Sequence, residues 1–451
     1  MSDQSDVMIW WVRRDIRLKS HPILEEAARN ARQVLPVFII DPRLMGSLRS
    51  SPRRNDYLKA SLLSLDGELK KRRSGLIVRT GSPTTVLRLL VEQTNAKEVV
   101  ALRDYSAHDS ERSEQVSTAV NFRQVKGQSV IEDPVVKRPD GHPYSVFSAY
   151  FRSWQGLFLP KPQAFKSRDP VFYDVKDLHS EHLQTRVNSI QFPVGEMLAQ
   201  RRVQRFLRTN SHGYENERNL LDGSGSSQIS PYLKFGVLDP KVLAEQAEIA
   251  GAFSWLRQLA WRDYYFSVLQ QYPRLAKENL RRSFDQFPWR NSVSDFRKWV
   301  AGETGYPIVD AGMRQLMTEG WVSNRMRMIL ASFLTKHLLI DWRKGEVYFS
   351  QQLIDGDLAS NAGGWQWVAG TGTDAAPFFR IFNPTSQSKR FGPDGSYIAK
   401  WLPELRHLDR RWIHEPWKSP FPPRNYPPPI VDHDFARLRA LDAYQGMRKK
   451  S

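Results

Sequence analysis

The chain predicts two folds in series: an α/β domain built on a doubly wound parallel sheet, then a large all-α domain. Over residues 1–130 short apolar runs alternate with helical patterns, and from Gly195 onward nearly every segment carries helical spacing. The length of 451 residues also exceeds what one hydrophobic core comfortably serves.

The elements follow in order. VMIWWV from Val7, VLPVFII from Val34, GLIVRTG from Gly75 and EVVALRDY from Glu98 read as buried parallel strands. Unbroken β-branched and apolar runs suit strands covered on both faces. HPILEEAARNA and SPTTVLRLLVEQTNA read as the helices between them, the second with Ser82 as cap and Pro83 in its first turn. No GxGxxG follows the first strand, so an ordinary dinucleotide fingerprint is absent.

Residues 131–193 read as a connector packed over the surface, interrupted by Pro134, Pro139, Pro143, Pro160, Pro162 and Pro170. Residues 194–451 form the helical domain. VGEMLAQRRVQRFLRTN, PKVLAEQAEIAGAF, FSWLRQLAWRDYYFSVLQQY, VSNRMRMILASFLTKHLLIDW and GEVYFSQQLIDG all carry helical spacing. A proline-rich strap, PFPPRNYPPPI, precedes a closing helix and a basic end. There is no internal repeat.

Charge and composition narrow the function. A formal charge of +18 and a pI near 9.9 suit a polyanion partner, above all nucleic acid, because Lys and Arg release counterions from phosphates. Basic residues recur in groups such as Arg201-Arg202-Arg205-Arg208, Lys389-Arg390 and Arg410-Arg411; a solvated basic surface is the alternative. No stretch approaches the roughly 18–20 apolar residues of a membrane span, and MSDQSDVMIW lacks a signal layout, so a soluble cytoplasmic protein with no membrane partner is expected. The absence of cysteine excludes disulfides, thiol catalysis and thiolate metal sites. Ten histidines show no HExxH or HxH pairing, and no Walker loop or GxSxG occurs, so no metal site is expected and metal hydrolases, phosphate-loop enzymes and serine esterases fit poorly.

Eleven of the fourteen tryptophans fall between Trp255 and Trp417, more than a core alone asks for. On the helix around Trp255, the residues Trp255, Gln258, Trp261 and Tyr265 share a face about 120° wide. Such a face suits a cavity that stacks flat rings and bonds their edges, and core packing explains the same spacing. Asn324, Arg327 and Met328 meet on one side of the next candidate helix. A buried arginine needs a counter-charge, for which Asp355 and Asp357 are candidates, in a structural ion pair or a site. Asp355, Asp357 and Asn361 precede Gly363-Gly364, where a ligand or backbone can come close. SGSSQISPYLKFG from Ser224 offers hydroxyls and N–H groups to an anion, or serves as an ordinary cap.

These segments together resemble the photolyase/cryptochrome family over almost the whole chain, most closely the microbial photolyases acting on cyclobutane pyrimidine dimers. WWVRRDIRL is similar to the family's opening strand and turn. Between Trp299 and Leu405 the runs GETGYPIVDAGMRQL, GWVSNRMRMILASFL, LIDWRKGEVYF, DGDLASNAGGWQW, FRIFNPTSQSKRF and WLPEL carry the specific part. The resemblance implies an N-terminal domain holding an antenna (folate, deazaflavin or a second flavin) and a helical domain holding a folded FAD. Tyr214, Ser226, Ser227 and Ser230 resemble the residues gripping the FAD phosphates and ribityl chain. Trp255, Arg327, Asp355, Asp357 and Asn361 resemble the flavin contacts, with Asn361 beside N5. Trp261, Asn324, Met328 and Trp367 resemble the pocket for a flipped-out lesion, while Arg325, Lys389 and Arg390 would hold DNA phosphates. Trp365, Trp342 and Trp289 match the tryptophans that pass electrons from the surface to the excited flavin.

The resemblance implies a monomeric lyase in which photoexcited reduced FAD donates one electron to a dimer in UV-damaged DNA, bound without sequence preference. One position departs from the pattern: Gln258 stands where dimer photolyases usually carry a glutamate, and glutamine is more usual in (6-4) enzymes. The pocket histidines of (6-4) enzymes are missing, since the helix reads NRMRMIL. His108 stands near where folate binders often have a glutamate, which puts that antenna in doubt. The alternatives are a (6-4) photolyase and a cryptochrome that senses blue light without repair.

Overall fold

The computed structural model describes residues 6–448 except 31, 133–135, 159–169, 185–191, 375–376 and 378–379. They fall into two compact units, Met1–His212 with Ile229–Pro273, and Gly213–Gln228 with Arg274–Ser451. Neither unit is continuous in sequence.

The first unit carries a parallel sheet of strands β1 (Val7–Val12), β2 (Gln33–Ile40), β3 (Ile77–Thr80), β4 (Glu98–Leu102) and β5 (Phe122–Val125) in the order β3-β2-β1-β4-β5, with the two-residue β6 (Val171–Phe172) paired to the start of β2. β1 is central and buried at all six positions, the reason for its unbroken VMIWWV. Helices α1 (Pro22–Arg29), α2 (Pro42–Met45), α3 (Pro52–Lys70), α4 (Pro83–Thr94) and α5 (Ala107–Ser117) link successive strands, as a doubly wound sheet requires. Ser82 occupies the cap position of α4 but its side chain makes no capping bond, and Pro83 opens the helix. β5 escapes a reading by apolar run because it is a short, half-exposed edge strand.

The segment read as a connector is not all loop. Pro134, Pro160 and Pro162 lie outside the described residues, yet the segment contains a helix, α6 (Phe147–Leu157), which buries Phe147, Tyr150 and Trp154. The unit continues with α7 (Glu196–Thr209); α8 (Tyr214–Glu217) belongs to the second unit, and α9 (Ser230–Lys234), α10 (Pro240–Ile249) and α11 (Phe253–Gln271) return to the first. Asp263 on α11 explains part of this grouping. Its carboxylate accepts the N–H groups of Val130 (3.3 Å) and Ile131 (3.0 Å) and the indole N–H of Trp154 (3.0 Å).

Burial pushes Asp263 up to about 7 despite those donors. A carboxyl whose folded pKa lies above its unfolded value favours folding when protonated, so its contribution falls as pH rises from about 4 through about 7. Asp263→Asn is therefore expected to lose less stability than wild type over that range, by at most about 4 kcal/mol. Urea midpoints at a series of pH values check this, since any constant cost of the amide cancels in the slope; parallel slopes would refute it.

The second unit packs α12 (Val293–Ala301), α13 (Pro307–Glu319), α14 (Asn324–Ser332), α15 (Trp342–Gln352), α16 (Leu358–Ala369), α17 (Pro384–Phe391), α18 (Ser396–Trp401) and α19 (His433–Arg448). Its core includes Trp299, Met313, Met326, Leu330, Trp342, Phe349 and Trp365. The run VSNRMRMILASFLTKHLLIDW is not one helix: α14 ends at Ser332, a π turn covers Phe333–His337, and Leu339 turns the chain with φ 50°. Asp341 then caps α15, accepting the Arg343 N–H at 2.9 Å. The proline-rich strap is held by Asp310, whose buried carboxylate accepts from Thr304 N (2.8 Å), Gly305 N (3.0 Å) and the Tyr426 hydroxyl (2.5 Å). Gly305 is required there, since an added Cβ would meet the Pro428 carbonyl oxygen at 2.2 Å.

Candidate functional site

In the first unit α11 carries the aromatic face. Ser254, Gln258, Trp261 and Tyr265 form a half-buried stripe at i, i+4, i+7 and i+11, while Leu256, Leu259, Ala260 and Tyr264 are buried. Trp255 is buried against Phe206 of α7, ring centroids 5.2 Å apart. Gln258 Nε2 donates to the Ser254 carbonyl at 3.2 Å, so the amide nitrogen is turned onto its own helix. Trp261 stacks on Phe147 of α6. Ser230 opens α9, which has only five residues and offers little helix dipole to an anion.

The remaining predicted residues lie in the second unit. Ser323 caps α14 by accepting the Met326 N–H at 3.3 Å, which sets the phase of the face carrying Asn324, Arg327 and Met328. Asn324 Nδ2 approaches Met328 Sδ at 3.6 Å. Of the two candidate counter-charges, Asp355 takes the arginine: Arg327 Nη2 donates to its oxygens at 2.8 and 3.1 Å, and Arg327 Nε donates to the Val322 carbonyl. Asp357 instead caps α16, accepting the Ser360 N–H at 3.1 Å.

One turn later, Asn361 Nδ2 donates to Glu346 Oε1, the Glu346 carbonyl and Ser350 Oγ, each at 3.0 Å. Three acceptors on α15 fix the amide, leaving Oδ1 as the end turned away from that helix. Helical spacing alone missed Glu346, because its partner sits 15 residues away on a different helix. The two helices meet closely at Gly345, where an added Cβ would lie 2.2 Å from the Trp365 ring. Gly364, on the same side of α16 as Asn361, faces open space: an added Cβ there meets nothing within 4 Å.

Trp365 packs edge-on to Phe349 (5.0 Å) and Trp299 (6.3 Å). Trp342 donates its indole N–H to Asn279 Oδ1 at 2.9 Å, and Trp289 packs 4.3 Å from Phe287. Trp365 and Trp342 belong to one core cluster, with Trp289 and Trp367 packed partly buried against it. Tyr214, on α8, is buried, which pushes its phenol up to about 12. Ser226 donates through Oγ to the Gly223 carbonyl at 2.9 Å, and Ser227 is buried beside it in sequence. Gly225 lets this loop lie against the end of α8, since an added Cβ would meet the Glu217 carbonyl oxygen at 2.3 Å.

Arg325 centres a cationic group. It donates to Asn219 Oδ1 at 2.7 and 3.2 Å and lies 4.4 Å over the Phe391 ring. Burial first, then the charges of Arg218, Arg390 and Arg380, lower its pKa. Arg218 and Arg380 have no sequence neighbour that marks them. Lys389, read as a phosphate contact, pairs with Glu415 at 2.6 Å.

In the sheet, the topological switch lies between β1 and β4. Just beyond β1, the Arg13 guanidinium sits 3.7 Å over the Trp11 ring and donates from Nη2 to Ser113. Its Nε and Nη1 are buried without a partner, as is His108 Nε2, and burial pushes Arg13 down to about 10. Such buried polar atoms without a partner are what a polar ligand would satisfy. Among the described residues no acidic or histidine cluster suits a metal, and no helix is long and apolar enough to cross a membrane.

Comparison with known proteins gives a consistent result. Residues 8–167 match the family model described as DNA photolyase, and residues 255–446 match that of the FAD binding domain of DNA photolyase. The chain is 37% identical to the deoxyribodipyrimidine photo-lyase of Escherichia coli, over 97% of this chain and 98% of that one. Among solved structures it resembles a class III photolyase from Agrobacterium tumefaciens (TM-score 0.89, 35% identity, covering 99% of this chain and 98% of that one). It also resembles an archaeal photolyase from Sulfolobus tokodaii with two FAD molecules (0.86, 29%, covering 98% and 100%) and a cryptochrome from Synechocystis (0.87, 27%, covering 97% and 99%).

Proposed function

The chain belongs to the DNA photolyase family, and from that premise we propose that it is a deoxyribodipyrimidine photo-lyase, a carbon–carbon lyase that uses light to split cyclobutane pyrimidine dimers in UV-damaged DNA. What favours repair over light sensing is the group of like charges that Arg218, Arg390 and Arg380 place around Arg325, the residue after Asn324 in sequence. Such a group suits phosphates around a kinked lesion and reads no sequence.

FAD suits the residues present: Gly364 opens onto space and Asn361 has a fixed amide. When bound, FAD would supply the photochemistry, its reduced, excited form being the one-electron donor to the dimer, with the electron returned once the ring has split. Tyr214, Ser226, Ser227 and Ser230 hold its phosphates and ribityl chain. Trp255, Arg327, Asp355 and Asp357 would fix its ring system, and Asn361 would offer its amide oxygen near N5. Trp261 and Trp367 stack on the lesion, flipped out because it cannot be reached inside the duplex. Gln258, Asn324 and Met328 contact its edges, Trp365, Trp342 and Trp289 relay electrons inward from the surface, and the arginines hold the backbone. A second chromophore, folate, deazaflavin or flavin, would bind the N-terminal α/β domain, where the unpartnered nitrogens of Arg13 are candidate contacts. The enzyme works as a monomer in the bacterial cytosol, where its DNA substrate lies.

Blue-light repair assays on oligonucleotides carrying one cyclobutane dimer or one (6-4) product test this reading. Restored thymines from the dimer support it. Repair of the (6-4) product alone replaces the substrate, and no repair of either leaves the sensing alternative. Gln258→Glu should raise dimer repair, since a carboxylate cannot donate to the Ser254 carbonyl and is freed to accept from the pyrimidine edge. A charge-assisted bond in place of a neutral one predicts about a five-fold gain in kcat/KM. An unchanged or lower value would mean that the amide is adapted to this pocket.

A further inference from the structure

We propose that Phe147, on the helix within the segment read as a connector, is a positioning residue that sets the plane of Trp261 and so the preference for damaged over intact DNA. This rests on the assignment of Trp261 to the lesion pocket.

The two rings stack with centroids 3.7 Å apart and planes 11° from parallel. Phe147 is only 1% exposed, while Trp261 is half-buried. One face of the indole is thus covered by a fully buried ring. The rest of Trp261 is bounded by Tyr264 (5.7 Å, 80°) and Tyr265 (5.6 Å, 34°). A tryptophan serving only as core would be closed on every side; this one shares its stripe with the half-buried Ser254, Gln258 and Tyr265.

The helix behind it is fastened to α11 along its length. Phe147 and Trp154 are two turns apart on one face of α6, and they meet Trp261 and Asp263, two residues apart on α11. Between them Tyr150 packs on Tyr264 at 5.1 Å. Phe147 also stacks on Phe151 (5.7 Å, 19°), and the Arg257 guanidinium lies over both rings at 5.5 and 5.4 Å. Tilting the indole would require displacing Phe147 and with it a helix held by a buried indole–carboxylate bond. The platform is therefore in place before any base arrives, and no ordering cost falls on the encounter. Backbone contacts by the arginines are indifferent to this plane, so only lesion binding depends on it.

The test uses the FAD-loaded enzyme and two duplexes of one sequence, with and without a single cyclobutane thymine dimer. Phe147→Leu should weaken binding of the damaged duplex about ten-fold, the scale of one degraded base–aromatic stack, with little change for the intact duplex. Single-turnover repair by pre-reduced enzyme at saturation should stay near wild type, and Phe147→Tyr, which keeps the flat ring, should restore binding. In a Trp261→Ala background Phe147→Leu should add no further loss. Should Phe147→Leu not yield folded enzyme, Phe147→Met, which fills the space without a flat face, takes its place. Equal weakening on both duplexes, no weakening on either, or an additive loss in the Trp261→Ala background overturns the role. A wild type that binds both duplexes alike overturns the lesion-pocket reading itself, and the role with it.

Discussion

Trp365→Phe is expected to bring light-driven reduction of the bound flavin down to background while repair by chemically pre-reduced enzyme persists. A phenyl ring is much harder to oxidise than an indole, so the substitution removes an electron donor without removing a flat side chain. Trp365 is 3% exposed and shares a core cluster with Trp342, against which Trp289 packs, so the three lie within one packed body. Its ring also fills the space left by Gly345, where an added Cβ would lie 2.2 Å away. The smaller phenyl leaves part of that space empty, at a cost of about 1–2 kcal/mol. Flavin content must therefore be matched before rates are compared. Photoreduction that continues at the wild-type rate in matched samples would mean that electrons enter by another route.

Asp355→Ala should be the most damaging change at the flavin site. The Asp355 side chain is 2% exposed and Arg327 is 28% exposed, so removing the acid leaves a largely enclosed guanidinium without its charge partner. Breaking such a pair costs about 3 kcal/mol, somewhat less here because Arg327 reaches solvent. Loss of a charge-assisted anchor should also weaken FAD retention by ten-fold or more, on the order of 1.5–3 kcal/mol. Thermal melting and the ratio of flavin to protein absorbance after dialysis measure the two effects. Asp357→Ala is the comparison within the same site: it removes the cap of α16, worth about 1 kcal/mol, and leaves the Arg327–Asp355 pair whole. If Asp357→Ala releases as much flavin as Asp355→Ala, the ion pair is not the anchor.

The sheet was legible because each central strand is a continuous apolar run, as VMIWWV is, and such runs have few other uses. The pairing of Arg327 was legible as a need, since a helix that buries an arginine must supply an acid; the choice between Asp355 and Asp357 was not. Only the fold decides which carboxylate reaches the guanidinium and which caps a helix. Glu346 and Arg218 stayed hidden for the same reason. Helical spacing reports neighbours on one helix, whereas Asn361 meets Glu346 across two. The break at Leu339 was invisible because leucine carries no signal for a left-handed turn. α6 was masked by the prolines around it, although its Phe147, Tyr150 and Trp154 repeat with helical period.

The discontinuity of the first unit has a consequence for biosynthesis. Arg17, buried just after β1, donates to the Gly236 carbonyl and to Asp239, and the Val130 and Ile131 amides wait for Asp263. A nascent chain that has emerged only as far as His212 has all six strands but none of these acceptors. Its sheet can collapse, yet several polar groups stay unpaired and the α6 aromatic face stays open. The ribosome must deliver the chain through Pro273 before the unit can close. Chains stalled between those points should be the ones that need a chaperone, and a fragment ending at residue 212 should aggregate where one ending at residue 273 need not.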